Sequence, residues 1–564
     1  MTIADLLPSF PKTTLAALLL AALEAHAAGP VVTPDAGAIL QQLQPSVPPT
    51  PQSGRPALQI EPKNATGGPA TAPFEVREIR ITGNTEFATD VLHALVADQQ
   101  ARQRTLAQLE EAAARITDFY QRHGFPLARA LIPAQTISAG VVVIQVVEAR
   151  YGRIDVDNRS EVSDALVQAT AASLQPGQVI DERHLDRTLL LLSDIPGVGV
   201  NAVLKPGAAV GTSDLALELA RAPVALANAA LDNYGNRYVG RMRASGNLNL
   251  VNPFHHGDVL SLSAVSSGEG MQFARLGYDT LINGLGTHAG VAYSFVHYRL
   301  GGSVDALGAH GTAGVASAWL RQPLLRSRQA NIYAQAQLDA KQLRDSIDAG
   351  GTHTDRHLDN WVLSLNGDRR DSILAGGISI WSLGWTIGRV DFDDTAAQTA
   401  DAASARTRGS FSKWNLNFSR LQALGNRDIV YFNAALQWSD GNLDSAEKMT
   451  VGGPYTVRAY DIGAVSGDTG AYGTLEWRHD LGLSMPGKLQ TVAFIDSARV
   501  RINRHPWSSG ENSVSLSGIG AGLNWDGPDS WKAALSVATS IGAHPSTVAA
   551  PASARAWLTL GKTF

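Results

Sequence analysis

Hydrophobic and polar residues alternate along most of the chain beyond about residue 224. In residues 331–340 the even-numbered side chains are apolar and the odd-numbered ones polar, and residues 414–419 and 432–439 repeat the pattern. A period of two predicts β-strands whose two faces lie in different surroundings. Strands of about ten residues with one apolar face, aromatic near its ends, and one polar face are typical of a barrel with lipid outside and water inside. A soluble β-domain is the alternative, but its strands are usually shorter and its outward faces more charged.

We therefore predict that residues 223–564 form an all-β transmembrane barrel of antiparallel strands. With about 340 residues and roughly 21 residues for each strand and its connection, about sixteen strands is the natural estimate. The chain ends on Phe564, with apolar residues at alternate positions before it. This ending resembles the terminal strand by which outer-membrane barrels are recognised and closed.

The region before the barrel has a different pattern, which occurs twice. Residues 74–149 predict a strand, two helices and two further strands, and the second helix opens with a capping box from Thr105 to Gln108. Residues 150–222 repeat the same order. A repeat of about 75 residues indicates two copies of one small module. The predicted fold class is therefore α+β repeats followed by the β-barrel.

The N-terminus predicts export from the cytoplasm. An apolar run follows Lys12 and is followed by Ala25-His26-Ala27, a small-x-small cleavage pattern, so residues 1–27 are predicted to be a signal peptide. No other stretch approaches the roughly eighteen apolar residues of a membrane-spanning helix. If the protein lies in a membrane, it must therefore span it as a closed barrel, because only helices and closed barrels satisfy their backbone groups in lipid.

Residues 28–73 are rich in proline and small residues and predict a linker that cannot fold alone. Within it, residues 35–44 predict a short helix with Ile39, Leu40 and Leu43 on one side. Such a helix is marginal in isolation. It either docks elsewhere in the protein or has no role.

Composition and motifs exclude several classes of function. A net charge of -5 gives no electrostatic reason to expect nucleic acid as a partner, and the absence of cysteine excludes disulfides, thiolate metal sites and a cysteine nucleophile. Neither Gly-x-Ser-x-Gly nor His-Glu-x-x-His occurs. Residues 561–563 match only the end of a phosphate-binding loop, and residues 391–394 lack the glycine and distal glutamate of a calcium loop. We predict no catalytic residue, no metal site and no cofactor.

One connection within the predicted barrel is far longer than a hairpin turn requires. It covers residues 440–470, and Arg458 lies about midway along it. Asp496 follows on a later strand and shares a face with Phe494. A connection that folded inward would present Arg458 to Asp496, and a planar guanidinium suits a carboxylate partner. The alternative is that Arg458 is a solvated loop charge and Asp496 one wall charge among many.

Several of these residues resemble known motifs. Ile79, Ile81 and Gly83-Asn84, with Tyr120 and Gly124-Phe125 after them, resemble a POTRA domain, a periplasmic module that binds polypeptide chains. The second copy, residues 150–222, matches by the order of its elements more than by motif.

The connection and the strand after it carry the most specific resemblance. Val457-Arg458-Ala459-Tyr460 is similar to the Val-Arg-Gly-Tyr loop motif, and Phe494-Ile-Asp496-Ser-Ala498 to the Phe-x-Asp-x-Gly strand motif, of the two-partner secretion transporters. These form the TpsB branch of the superfamily that includes the insertase BamA. Alanine replaces glycine in both motifs, at Ala459 and Ala498, which makes a positive φ less favourable there.

The resemblance implies a function as well as a fold. The protein would lie in the outer membrane with its POTRA domains in the periplasm. There it would bind an unfolded TpsA exoprotein, such as a filamentous adhesin or haemolysin, and secrete it through the barrel without nucleotide hydrolysis. Arg458 and Asp496 would lock the loop to the barrel, and the helix of Ile39, Leu40 and Leu43 would plug the pore. Further implied partners are outer-membrane lipid and, during biogenesis, the barrel-assembly machinery.

Two other functions fit parts of the same architecture. An assembly factor of the BamA or TamA kind would insert other barrels, and three or more POTRA modules would favour it, whereas we count two. A passive porin or uptake receptor would leave residues 74–222 without a purpose.

Overall fold

The computed structural model describes residues 33–43, 57–60, 72–549 and 552–564. The predicted signal peptide, residues 1–27, lies outside the described residues, as does most of the linker. Two small α/β modules are followed by a closed barrel. Within the described ranges, no helix has both the length and the apolar character needed to cross a bilayer.

The elements before the barrel are, in chain order, α1 (Ala36–Leu43), β1 (Ala57–Ile60), β2 (Phe74–Val76), β3 (Glu78–Thr82), α2 (Thr89–Ala94), β4 (Arg102–Arg104), α3 (Leu106–Arg122), β5 (Arg129–Leu131), β6 (Val141–Val147), β7 (Arg150–Asn158), α4 (Asp164–Ala171), α5 (Glu182–Ser193), β8 (Val198–Pro206) and β9 (Thr212–Arg221). We call residues 74–149 the first module and residues 150–222 the second module.

The first module packs its helices on a three-stranded sheet ordered β3-β6-β5. Helix α3 begins at Thr105 with both bonds of the capping box present. Its buried face, which includes Ile116 and Tyr120, packs with Ile79 and Ile144 of the sheet. The sequence predicts one strand from residue 74, but β2 and β3 are separate because the Arg77 N–H turns aside to the Gly140 carbonyl, 2.8 Å away. Strand β2 pairs instead with β4.

The second module has a four-stranded sheet ordered β1-β8-β9-β7. Strands β7, β8 and β9 belong to the module itself, and their apolar residues pack with α4 and α5 around Leu189. Strand β1 comes from the linker and runs parallel to β8, from Ala57 beside Asn201 to Ile60 beside Leu204. The sequence does not predict this strand, because a pairing with a partner far along the chain leaves no local pattern.

The barrel strands are β10 (Ala225–Asp232), β11 (Arg243–Val251), β12 (Asp258–Ser266), β13 (Met271–Leu281), β14 (His288–Arg299), β15 (Ala309–Arg326), β16 (Ala330–Ile347), β17 (Thr352–Asp371), β18 (Gly377–Phe392), β19 (Gly409–Ala423), β20 (Asp428–Ser439), β23 (Thr469–Asp480), β24 (Lys488–Arg501), β25 (Ser513–Asp526), β26 (Trp531–Ser540) and β27 (Arg555–Thr563). The short strands β21 (Met449–Val451) and β22 (Val465–Gly467) pair with each other between β20 and β23, and α6 (Thr395–Ala402) lies between β18 and β19.

The prediction of a closed antiparallel barrel of sixteen strands is confirmed, since β27 pairs with β10 to complete the ring. Strand length differs from the expectation of about ten residues, which is the span of the hydrocarbon layer. Strand β17 has 20 residues, so the middle strands continue well beyond that layer. Along β20, Leu436 and Trp438 are exposed on the outer face, whereas Asn433 and Gln437 are buried toward the lumen.

Candidate functional site

The lumen is filled by the connection between β20 and β23, residues 440–468, which we call the inner loop. It descends through a short 3₁₀ helix at Ser445–Glu447 and returns through β21 and β22. Val457, Ala459 and Tyr460 near its tip are buried and pack in one cluster with Phe494 and Ala498 of β24. These residues of the loop motif and the strand motif therefore meet inside the barrel.

Arg458 is enclosed by polar partners from two neighbouring strands. Its Nη2 donates to Asp496 Oδ1 at 2.7 Å and its Nε to Asp496 Oδ2 at 2.9 Å, and its backbone N–H also donates to Oδ2, at 3.0 Å. Nη1 donates to Glu476 Oε1 at 2.6 Å and Nη2 to Thr474 Oγ1 at 2.8 Å. The guanidinium carbon lies 3.3 Å from the centre of the Phe494 ring. Asp496 is completely buried, so the arginine is its compensating charge.

The sequence predicts the Arg458–Asp496 contact but not the other two partners. Thr474 and Glu476 are on β23 and face the lumen with Tyr472. The available signal was the alternation along β23, which puts Glu476 on the polar face of its strand. Nothing in the sequence showed which lumen charge would meet the loop.

Neither alanine that replaces a motif glycine has a positive φ, so the backbone at both sites is ordinary for an L-residue. The Ala459 methyl group lies against Gly518 of β25, where an added Cβ would come within 2.7 Å of it. Gly518 therefore leaves the space that the Ala459 side chain uses.

Helix α1 lies inside the lumen beside the inner loop. Ile39 and Leu40 are buried and Leu43 is partly buried, and Ile39 packs in a cluster with wall residues such as Leu343 and Leu358. An added Cβ on Gly37 would lie 2.3 Å from Ser445 Oγ, so the helix touches the 3₁₀ turn of the inner loop closely. The Gln41 side chain donates to the Ala446 carbonyl of the same turn.

Arg356 of β17 joins three elements through carboxylates. Its Nη2 contacts Asp35, just before α1, at 2.8 Å, and its Nη1 contacts Asp345 of β16 at 2.7 Å. Its Nε is 2.7 Å from Asp444 of the inner loop, as a charge contact that is not aligned as a hydrogen bond. Asp345 also accepts the Ala36 N–H at 2.8 Å. No sequence pattern indicates this cluster, because its members are far apart in the chain.

A second cluster anchors the same turn of the inner loop. Glu447 lies 2.5 Å from Lys341 of β16 and 2.8 Å from Lys413 of β19, and all three side chains are buried. Asn360 donates to Glu447 at 2.8 Å. The descending limb of the loop is therefore tied to the wall at Asp444 and at Glu447.

The inner loop also reaches the junction between the first and last strands. Trp557 Nε1 of β27 donates to the Arg458 carbonyl at 2.8 Å. Asp461 lies 2.5 Å from Arg555 of β27 and 2.9 Å from Arg241, which follows β10. Phe564 directly follows β27, and its side chain is exposed beside Lys562.

The first module contains one buried carboxylate with a different environment. Glu148 accepts hydrogen bonds from the Tyr120 hydroxyl at 2.8 Å, the Thr85 N–H at 2.7 Å, the Glu86 N–H at 2.9 Å and the Thr85 hydroxyl. Burial acts to raise the pKa of Glu148, but these hydrogen bonds outweigh it and hold the pKa below its ordinary value. Burial, followed by the hydrogen bond to Glu148, raises the pKa of Tyr120.

The remaining polar motifs have structural partners. Asp391 pairs with Arg408, Asp393 with His357, and Asp394 caps α6. Across the described residues, no group of three histidine or acidic side chains could hold a metal ion. Lys562 lies on the terminal strand, against the Trp531 ring.

Two sequence families match this chain. Residues 211–525, more than half of it, match the haemolysin secretion/activation protein family ShlB/FhaC/HecB. Residues 74–149 match the ShlB-type POTRA domain.

Individual proteins are similar over most of the chain. The heme/hemopexin transporter protein HuxB of Haemophilus influenzae is 26% identical over 498 residues, which cover 87% of each protein. The outer membrane transporter CdiB of Dickeya dadantii is 24% identical over 78% of each. The structure of CdiB from Escherichia coli superposes with a TM-score of 0.70 at 19% identity, covering 99% of this chain and all of that one, which shows a shared fold.

Proposed function

Since the chain belongs to the haemolysin secretion/activation protein family ShlB/FhaC/HecB, we propose that it secretes an unfolded TpsA-type exoprotein through its barrel. It is an outer-membrane transporter of the two-partner secretion family, with a POTRA domain that is periplasmic in this family. The proposal concerns what is transported and how: the two modules receive the exoprotein, and the lumen passes it to the outside without nucleotide hydrolysis.

The pairing of β1 with β8 is the observation that carries the uptake step. Strand β1 is an extended segment from outside the second module, and it adds to the edge of the module's sheet through main-chain hydrogen bonds. An exposed edge offers such bonds to any extended chain and makes little demand on its sequence. An unfolded exoprotein is a substrate of that kind.

Passage through the barrel requires the lumen to empty. Helix α1 and the inner loop both lie in the lumen, so a translocating chain must displace them. The Arg458–Asp496 contact supports a resting state in which the loop is locked to the wall. We infer that α1 is the plug and the inner loop the second closure.

The energy for export must come from the exoprotein itself, because the periplasm supplies no nucleotide. Folding outside the cell into a repeat structure such as a β-helix would prevent the chain from sliding back. The names of the relatives refer to a heme/hemopexin transporter and to CdiB. We propose only that the exoprotein has an extended N-terminal secretion domain of the β-helical kind.

The test is to express the protein with a candidate TpsA-type exoprotein from the same genome and to follow that exoprotein to the medium. We expect export that depends on this chain, while the content of other outer-membrane barrels is unchanged by its deletion. If the protein were an assembly factor, its deletion would lower the content of other outer-membrane barrels and would not abolish export of the exoprotein. Loss of several unrelated barrels on deletion, with the exoprotein still exported, would contradict the proposal.

A further inference from the structure

Helix α5 of the second module is apolar on more sides than one domain can cover. Leu189, Leu190, Leu191 and Leu192 are all buried. Leu189 and Leu192 belong to the core of the module, whereas Leu190 and Leu191 lie outside that cluster. Four consecutive residues of a helix face in every direction, so the C-terminal part of α5 must contact a second body as well as its own module. That body is the barrel.

Three turns on one end of the barrel receive the second module. In the turn after β11, the His255 carbonyl accepts the Ser163 N–H at 2.9 Å. In the turn after β13, an added Cβ on Gly286 would lie 2.7 Å from Leu191 Cδ2. The third turn follows β15, and the last residue of that strand carries the most strongly buried charge of this contact.

That charge is Arg326, whose side chain is 2% exposed. Its Nε donates to Asp194 Oδ2 at 2.6 Å and its Nη2 to Asp194 Oδ1 at 2.7 Å, a two-point contact between barrel and module. Its Nη1 donates to Asn331 Oδ1 at 2.9 Å, and Asn331 in turn donates to Asp368. Each neighbour fixes the next, so the guanidinium has one orientation.

Asp194 stands at an unfavourable position for a free domain. It is the C-cap residue of α5, where the helix dipole carries partial negative charge and where lysine, arginine or histidine is preferred. A carboxylate at this end is repelled by the last carbonyls unless a cation compensates it. The only strongly buried cation within its described contacts is Arg326 of the barrel. A locally unfavourable residue with a remote compensating partner points to a role beyond the stability of the helix.

We propose that Asp194 and Arg326 are positioning residues for secretion. They fix the second module at one angle to the barrel mouth, so that a chain bound to the module's sheet is delivered into the lumen. This rests on the proposed function for its purpose, but the rigid attachment itself is independent of what is transported. Neither residue is required to touch the exoprotein.

The test measures the attachment directly in the full-length protein. Because the chain has no cysteine, Gln175→Cys in the second module and Ser484→Cys in a turn on the same end of the barrel take two spin labels without other changes. Pulsed electron spin resonance then reports the distance between them. We expect a narrow distance distribution for the parent, a broad one for Asp194→Ala and an intermediate one for Asp194→Glu.

Asp186→Ala is the matched control, since Asp186 is on the same helix and pairs with the more exposed Arg328 at 2.8 Å. We expect it to leave the distribution narrow. Unchanged heat-modifiability on gels shows that each barrel is folded. The proposal is overturned if Asp194→Ala stays as narrow as the parent, or if Asp186→Ala broadens it equally.

A secretion assay separates this inference from the proposed function. We expect Asp194→Ala to lower export several-fold while the exoprotein binds the modules with unchanged affinity. Reduced binding affinity would contradict a purely positioning role. If the parent exported no exoprotein, the proposed function would fail, yet the spin-label result would still decide whether the attachment exists.

Discussion

Two buried arginines in the lumen hold the elements inside it to the barrel wall in different ways. Arg458 belongs to the inner loop, and all its side-chain partners belong to the wall. Arg356 belongs to the wall, and its partners come from the wall, the inner loop and the residue before α1. Arg458 therefore connects the inner loop to the wall, whereas Arg356 connects the wall, the inner loop and the segment of α1.

The difference determines what each element leaves behind when it moves. If the inner loop withdraws, Arg458 leaves the fully buried Asp496 without its cation. If α1 withdraws, Arg356 loses Asp35 but keeps Asp345 and Asp444. Removing one partner of a buried pair is costly because a charge stays buried and unpaired. We therefore expect α1 to leave first and the loop second.

The largest effect should follow Arg458→Ala. It leaves Asp496 buried without its cation, whereas Glu476 keeps Arg478 at 2.6 Å, and breaking such a buried pair costs about 3–5 kcal/mol. We expect a folded barrel whose inner loop is released and whose export of the exoprotein is strongly reduced. Heat-modifiability on gels and the amount of exoprotein in the medium measure the two outcomes. Unimpaired export would show that the contact between Arg458 and Asp496 is not required for secretion.

The next effect should follow Arg356→Ala, which tests whether the shared contact holds both elements. The change leaves Asp345 and Asp444 buried without a cation and removes the partner of Asp35. We expect a loss of about 3 kcal/mol at the site, because adjacent unpaired carboxylates repel each other. Ion conductance in planar bilayers should rise above that of Arg458→Ala if both closures loosen. Equal conductance would mean that Arg356 holds only one of them.

Gly37→Ala should displace α1 without removing any charged group from the protein. The added methyl group would come within 2.3 Å of Ser445 Oγ and 2.6 Å of the Ala446 nitrogen, so helix and loop must separate. Overpacking of this kind costs about 1–3 kcal/mol. We expect a several-fold rise in conductance with the Arg458 contact intact. Ala38→Gly, in the same helix and not at this contact, is a control for helix stability alone.

Different parts of this architecture left different traces in the sequence. Alternation predicted the barrel, because each strand has its own inner and outer face. A short motif predicted where Arg458 and Asp496 would be, and the structure brings them within hydrogen-bond distance. The Arg356 cluster left no recognisable pattern in the sequence, since Asp35 and Asp444 lie hundreds of residues apart and meet only through the register of the barrel.

The sequence of α5 contains two further indications of the contact between the second module and the barrel. Four consecutive leucines near the end of α5 indicate that this part of the helix is covered on all sides, which anticipates its contact with the barrel. Asp194 at the end of that helix is a residue of the wrong sign, which indicates a partner elsewhere. Neither feature is needed by an isolated module. Such departures indicate contacts with another part of the protein.

Asp35→Asn should have a smaller effect, and it tests the expected order of opening. Asp35 is partly exposed, so its ion pair is worth about 1 kcal/mol or less, and Arg356 remains paired without it. We expect conductance to rise slightly, while the inner loop keeps its position. Cysteine accessibility at the loop tip, measured with Tyr455→Cys, checks the second point. Increased accessibility there would show that α1 and the loop open together.

The smallest effect concerns Glu148, a buried carboxylate whose hydrogen bonds come from neutral donors, with the more exposed Arg150 3.6 Å away. The pKa of Glu148 is below its ordinary value, so its contribution to stability is present above the unfolded-state pKa of about 4.3 and is lost as pH falls through the lower folded-state pKa. The protection of amides in β6 and α3 of the first module, measured relative to their intrinsic exchange rates at each pH, should therefore fall as the medium becomes acidic. Glu148→Gln should weaken this pH dependence, because a neutral amide has no proton to take up in that range. An unchanged dependence in that variant would assign the acid response to another carboxylate, and the comparison with the arginine sites would then rest on the lumen alone.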